Sequence, residues 1–475
     1  MKDFKKTAGA AGIFALIYTF CMYQNTASIT FPILMATGIW FLYAMQDERK
    51  IFDSKLSGFY TVGIVLIAVS VFLTEDWKLI FMSKMAVLTL YICLAMDIYF
   101  DDSAWNDIQY VREGVRIVLG SIGRGFNLLG DFGDYREERK KEGVVSSVKS
   151  KQVMKVLKGV CIALPLLLII VPLMMSADVV FEDMMETIFD FETIFVRLLD
   201  ALDFGLWITL FAALILSYGF INLIKEGNEN TQLPIKMYGD KVTGITVTGI
   251  ISFVYVIFSL VQFRGIFFSN VKLPEGYTYA EYAREGFFQL FILAVINMVI
   301  VLICATRYEY SKVLNVILYI LCACTYVMIF SSAWKMILYI KVYNLTFLRA
   351  MVLWSLAVIA VIMAAVIRYV HSDDFSLFKF MAVVVTSFYI IVAFARPDYV
   401  VAKYNLDYGN QMEIDERYLM DLSSDAMPVI LENRSELGVS LDNWYFERIE
   451  NKYEDMNIRT FNLSVFVAGS MLAGE

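Results

Sequence analysis

Residues 348–367 read LRAMVLWSLAVIAVIMAAVI, twenty positions whose one charge, Arg349, stands at the start. As a helix rising 1.5 Å per residue this run is about 30 Å long, the thickness of a bilayer's hydrocarbon core. In lipid a helix satisfies its own backbone polar groups, which an open strand does not. Runs of the same kind recur at 7–23, 28–45, 56–73, 79–100, 153–175, 204–223, 242–263, 287–306, 313–332 and 378–395. The expected fold is therefore all-α: a polytopic transmembrane helical bundle of about eleven spans, followed by a small helical C-terminal extramembrane domain. The composition, 59% hydrophobic and 19% charged with mean hydropathy +0.62, excludes an ordinary soluble globular chain.

The net charge of −8 is local. From Arg396 onward the chain carries 15 acids against seven bases, so the first 395 residues are neutral. Four segments are expected: a four-span N-terminal membrane segment (1–100), a basic amphipathic cytoplasmic loop (101–152), a seven-span membrane segment (153–395) and an acidic, mainly helical tail (396–475). The first run follows Lys2, Lys5 and Lys6 without a small-residue cleavage site and reads as a signal anchor. With the N-terminus in the cytoplasm, cytoplasmic segments hold 24 of the 40 bases, eleven of them between Arg112 and Lys158. An odd number of spans then places the tail outside the cytoplasm. That placement hinges on the ninth and tenth spans, because Lys335 interrupts an apolar stretch that continues to Ile340.

The six cysteines all lie in apolar runs and the chain has one histidine, His371, so neither a disulfide framework nor a metal site is expected, nor any cofactor. Gly120, Gly123 and Gly125 lack the preceding strand of a dinucleotide loop. Between the fourth and fifth spans, Ile108, Val111, Val115, Leu119, Ile122 and Phe126 form a helical stripe with Arg112, Arg116 and Arg124 interleaved, the pattern of a helix lying on an anionic membrane surface. A second stripe from Phe181 to Leu202 carries acids on its other face.

Thr278 and Glu281 have capping-box spacing, which puts a helix start near Tyr279. Tyr277, Tyr279 and Tyr282 read as an aromatic belt, with Glu281, Arg284 and Glu285 available for polar recognition. Intramembrane polar candidates are Lys84, Asp97, Asn297 and Asn315. Ala8 with Gly12, and Gly244 with Thr248, have the four-residue spacing of small residues that pack helices in lipid. In the tail, short helices are expected at 414–421, 425–433 and 441–453, while the apolar run 461–473 is short for a span.

The stretch TYAEYAREGFF from Thr278 resembles a signature of the bacterial multi-pass membrane family catalogued as domain of unknown function 4173. Similar blocks follow: Lys335 to Tyr339 with Tyr343 to Arg349 and Trp354; Pro397 and Asp398 with Ala402 to Asn405; Ile414 to Pro428, which includes Tyr418 and Asp425; and Phe461 to Ser464. Lys335 stands where that pattern has Arg, and Asn344 where it has Gly. The resemblance covers the chain from about Pro274 onward and implies a protein of the bacterial cytoplasmic membrane. It supplies no activity.

No G-x-S-x-G, H-E-x-x-H or Walker loop is present. Three functions follow in order of support: a non-enzymatic envelope binding, sensing or scaffold protein; a transporter of a small molecule or lipid; and a membrane enzyme assembled from Asp398, Glu281 and Arg284. The expected partners are the bilayer and an envelope protein or lipid met through the acidic tail, with no nucleic acid.

Overall fold

The computed structural model describes residues 2–46, 54–102, 105–141, 203–226, 239–267, 279–309, 311–372, 376–409, 415–434 and 443–474, with positions 174 and 437. Its helices are α1 (Lys2–Met22), α2 (Thr30–Ala44), α3 (Lys55–Leu73), α4 (Trp77–Tyr99), α5 (Asp107–Gly125), α6 (Leu128–Lys141), α7 (Phe204–Glu226), α8 (Lys241–Phe267), α9 (Tyr279–Arg307), α10 (Lys312–Tyr343), α11 (Phe347–His371), α12 (Leu377–Ala395), α13 (Pro397–Asp407), α14 (Glu416–Met420), α15 (Met427–Glu432), α16 (Asn443–Glu454) and α17 (Leu463–Ala473). A single 3₁₀ turn, Ser424–Ala426, precedes α15. No strand is present among the described residues, and the all-α bundle read from the apolar runs is the observed architecture.

Eight helices among the described residues, α3, α4 and α7 to α12, are long and apolar enough to cross a membrane, so the chain is a multi-pass membrane protein. Their outer faces expose side chains that water would reject, such as Phe253 (68%) and Ile391 (67%), as lipid-facing helices do. The second run forms α2, only 15 residues long, and the first lies within α1 except for Tyr23. The fifth run (153–175), apart from Met174, and the acidic stripe from Phe181 to Leu202 lie outside the described residues.

The chain divides into two compact units. One comprises Met1–Gln24 with Arg116–Glu226. In it α1 packs on α7 through Ala11 and Ala15, both essentially buried, while an added Cβ at Gly12 would meet nothing within 4 Å. The small-residue face of α1 is thus one position away from the Ala8–Gly12 pair. Gly120 and Gly125 lie in helix, where an added Cβ would come within 3.0 Å of Leu223 and 2.6 Å of Ile215 side-chain atoms. Gly120 and Gly125 serve close helix packing against α7, an added Cβ at Gly123 would meet nothing within 4 Å, and no phosphate loop is formed.

The second unit comprises Asn25–Val115 and Gly227–Glu475. Helix α10 runs unbroken through Lys335 to Tyr343 and reverses at Asn344 into α11, so the ninth and tenth runs are two separate helices. Gly244 and Thr248 do pack: Thr248 is fully buried, and an added Cβ at Gly244 would meet the Tyr308 ring at 2.7 Å.

The helices of this unit sort their ends. At one end Ser54, at the start of α3, donates to Asp97 near the end of α4 (2.8 Å), Lys379 of α12 pairs with Asp102 (2.8 Å), and the Phe378 N–H donates to Asp107 (2.8 Å). At the other end lie the loop before α2, the loop between α3 and α4, the loop between α10 and α11, and the whole described tail. The tail is helical, with α13 added to the expected set. The apolar run 461–473 forms α17, an 11-residue helix whose Gly469 lies against the Tyr453 ring of α16.

Candidate functional site at the docked tail

Arg396, at the end of α12, adopts a left-handed conformation (φ 49°), and Pro397 occupies the first turn of α13, where its missing N–H costs nothing. This turn folds the acidic tail back onto the loops instead of letting it extend away. A small core of its own holds it together: Leu422, Ala426, Met427, Ile430, Tyr445 and Ile449, each no more than 1% exposed.

Polar side chains make the connection to the membrane helices. Asn462 Nδ2 donates to the carbonyls of Ala27 (3.0 Å) and Thr74 (2.8 Å), while its Oδ1 accepts from the N–H groups of Ser464 and Val465 at the start of α17. The Ile29 N–H donates to the Phe461 carbonyl (2.9 Å), and Asn25 Nδ2 to that of Arg459 (3.0 Å). Glu75 accepts from the Ser424 N–H (2.9 Å) and pairs with Lys452.

Three carboxylates are buried together beneath this seam. Asp76, Asp398 and Asp425 are 2%, 1% and 2% exposed. Asp425 Oδ2 accepts from the Thr74 hydroxyl, Asp398 Oδ2 from the Ser423 N–H (2.9 Å), and Asp76 Oδ1 from the Lys78 N–H (3.0 Å). The second oxygen of each, with the Ser423 hydroxyl, is buried without a hydrogen-bond partner. Burial, then the charge of Asp398, pushes Asp76 up to about 7, against the Lys78 N–H and ammonium; Asp425 adds to the rise. Burial pushes Asp425 up to about 6, with Ser464, Thr74 and Arg396 opposing and Asp398 reinforcing. Among the described residues no three His, Cys, Asp or Glu side chains converge as metal ligands.

Beside the carboxylates is a cavity of about 250 Å³ lined by Asn344, Thr346, Arg349, Asn405, Asp415 and Tyr418, among others. Asn405 clamps the loop between α10 and α11 through both amide atoms, accepting from the Leu345 N–H (2.8 Å) and donating to its carbonyl (2.9 Å). Tyr418 accepts from the Phe347 N–H (2.9 Å), and burial pushes its phenol up to about 12. Arg349 donates to the carbonyls of Tyr343 (2.5 Å) and Asn344 and stacks on the Tyr339 ring at 4.3 Å. Asn344 itself sits at φ 63°, ψ 173°, backbone that is almost exclusively glycine's. Asn344→Gly is therefore expected to raise thermal stability by about 1 kcal/mol. An unchanged or lower melting midpoint would show that the turn stores no strain.

The structure thus brings Arg349, Asn405 and Tyr418 to one cavity and Asp398 and Asp425 to one buried cluster. Lys335 is buried in α10 (8% exposed), and Tyr279, Glu281, Tyr282, Arg284 and Glu285 lie in the first turns of α9, with side chains outside the description; Thr278 is outside it altogether. The intramembrane polar groups are dispersed: Lys84 lies over the Phe31 ring (5.8 Å), Asp97 accepts from Ser54, Asn315 donates to the Val370 carbonyl (3.2 Å), and Asn297 donates to Thr325 (3.2 Å). Sequence reasoning passed over Thr74, Glu75 and Asp76. A Thr-Glu-Asp turn between two spans looks like any solvated loop, and nothing local in it signals that another segment will cover it.

A family model described as Domain of unknown function (DUF4153) matches residues 61–433. Its number differs from that of the 4173 family which the blocks from Thr278 resemble, and it is likewise uncharacterised. No curated protein and no solved structure matches the chain.

Proposed function

We propose, from the premise that this chain belongs to the DUF4153 family, a non-enzymatic envelope binding, sensing or scaffold protein of the bacterial cytoplasmic membrane. The observation that carries this reading is the docked tail. The tail is held in one orientation by Asn462, Glu75, Asn405 and Tyr418, as a platform for a partner needs to be, instead of trailing as a flexible arm. In the proposed topology the N-terminus is cytoplasmic and the tail extracytoplasmic. The sorting of helix ends supports it, since the loops under the tail are those that the distribution of bases places outside. Helix α5 supports the same reading from the other side: Val111, Val115 and Leu119 are 58%, 52% and 63% exposed, an apolar stripe that a cytoplasmic leaflet would cover.

The test uses Ile458→Cys, at a position 92% exposed, the five described native cysteines being buried. A membrane-impermeant maleimide should label it in intact cells; labelling only after lysis would overturn the outward placement. A tail-deleted chain should stay inserted yet lose its partners cross-linked in intact cells, and an unchanged set would overturn the platform.

A second reading, a transporter of a small molecule or lipid, draws on Asn297, fully buried within a span with its Oδ1 unpartnered. Flux in proteoliposomes that survives Asn297→Leu would remove its support.

A further inference from the structure

We propose that the cavity between the tail and the loop joining α10 to α11 binds a zwitterionic small group, an ammonium and a phosphate or carboxylate on one short skeleton. This goes beyond the platform reading and depends only on the cavity. The site sets opposite charges in its wall, Arg349 at the first turn of α11 and Asp415 at the start of α14. They make no ion pair with each other, and neither pairs with another charge among the described residues. A cation and an anion held apart in one cavity recognise a ligand that carries the complementary pair at a matching separation.

The uncommitted donors lie with Arg349. Its NH1 is engaged by the carbonyls of Tyr343 and Asn344 and its plane by Tyr339, which fixes the guanidinium while leaving Nε and NH2 for an anion. Tyr418 accepts from the Phe347 N–H and Thr346 from the Arg349 N–H, so each hydroxyl keeps its own proton to donate. On the other side Asp415 spends Oδ1 on the Tyr418 N–H and keeps Oδ2 for an ammonium. Asn405, satisfied at both amide atoms by Leu345, holds the wall rigid. Val342 and Leu348 flank the loop at 40% and 68% exposure, apolar side chains placed to meet lipid. The group can therefore arrive as a phospholipid headgroup or as a free solute.

The two sources are separated by two arms on the full-length protein. In phosphatidylglycerol nanodiscs, which offer no ammonium, free phosphoethanolamine is titrated against inorganic phosphate and ethanolamine. In mixed phosphatidylethanolamine and phosphatidylglycerol nanodiscs, retained lipid is counted by native mass spectrometry. The expected result is binding of phosphoethanolamine at least tenfold tighter than of either half, or selective retention of phosphatidylethanolamine over phosphatidylglycerol. Asp415→Asn keeps the helix cap, which asparagine supplies equally well, and should abolish the preference by removing the charge. Arg349→Lys keeps the charge without the planar fork and should weaken binding at least tenfold. Equal binding of phosphate or ethanolamine alone, absence of binding in both arms, or an unaltered preference in Asp415→Asn overturns the proposal. None of these outcomes bears on the tail's partner list.

Discussion

Asn462→Ala is expected to release the tail from the membrane helices while leaving the spans inserted. One side chain, 4% exposed, serves four backbone groups there: the carbonyls of Ala27 and Thr74 and the N–H groups of Ser464 and Val465. Truncation removes two bridging donors and the cap of α17 together. A buried polar group left unpaired costs about 1–3 kcal/mol and a lost N-cap about 1 kcal/mol, so the docked state should weaken by about 3–5 kcal/mol after partial rehydration. At about 1.4 kcal/mol per decade, that is opening at least about 100-fold more frequent. Hydrogen exchange across residues 423–434 and 461–466 would report it, as would limited proteolysis in the tail. Asn462→Asp separates the two roles: the carboxylate still caps α17, but it faces the carbonyls of Ala27 and Thr74 without donors, so docking should weaken as much. Unchanged exchange and protease resistance in both variants would mean that the tail is held elsewhere.

Docking is also expected to tighten as the pH falls. Asp76 and Asp425 lie at about 7 and about 6 in the docked state, against an ordinary aspartate at 3.8 once released and hydrated. Between about pH 4 and pH 6–7 the docked form therefore holds more protons than the released form, and stability falls as pH rises, by about 1.4 kcal/mol per pH unit for each extra proton. The contribution is complete below about 3.8 and is lost as pH rises through 6 and then 7. Around these acids stand Glu75, Lys78, Arg396, Asp398, Tyr445, Arg448 and Lys452. The basic members of this set limit the effect without reversing it, because burial is the leading cause at both aspartates. Tail opening by hydrogen exchange, corrected for intrinsic rates, should be rarer at pH 5 than at pH 8, and Asp425→Asn should make the slope below about pH 6 shallower, leaving the share that Asp76 supplies. A flat or inverted profile in the native chain would mean that the two carboxyls stay ionised when docked.

These expectations rest on features of unequal legibility. The runs that became α3, α4 and α7 to α12 were readable because crossing a bilayer is a property of consecutive residues: length times hydropathy decides it. The separation of α10 from α11 across the Lys335 segment was open on hydropathy alone. It was settled by Asn344, whose left-handed turn reverses the chain nine residues after the buried lysine. Gly120 and Gly125 show the converse case. The missing strand excluded a dinucleotide loop but left their use open, and that use is contact with α7, which depends on a helix far along the chain.

For the candidate site, Arg349, Asp398, Asn405, Tyr418 and Asp425 were singled out from local blocks of sequence, yet nothing in those blocks said which of them meet. The structure sends Asp398 and Asp425 to Thr74 and Asp76, and the other three to the loop after α10. What the amino-acid order determined alone is the membrane-spanning helical class, the excess of acid in the tail and the absence of familiar catalytic motifs, all of which are sums or patterns over neighbouring residues. What only the tertiary structure decided is that the acidic tail is docked, where its carboxylates lose water, and which loop each polar side chain holds. Those contacts join residues up to 435 positions apart, Ala27 to Asn462. Burial of a polar group depends on whatever the rest of the chain lays over it, which no local pattern encodes.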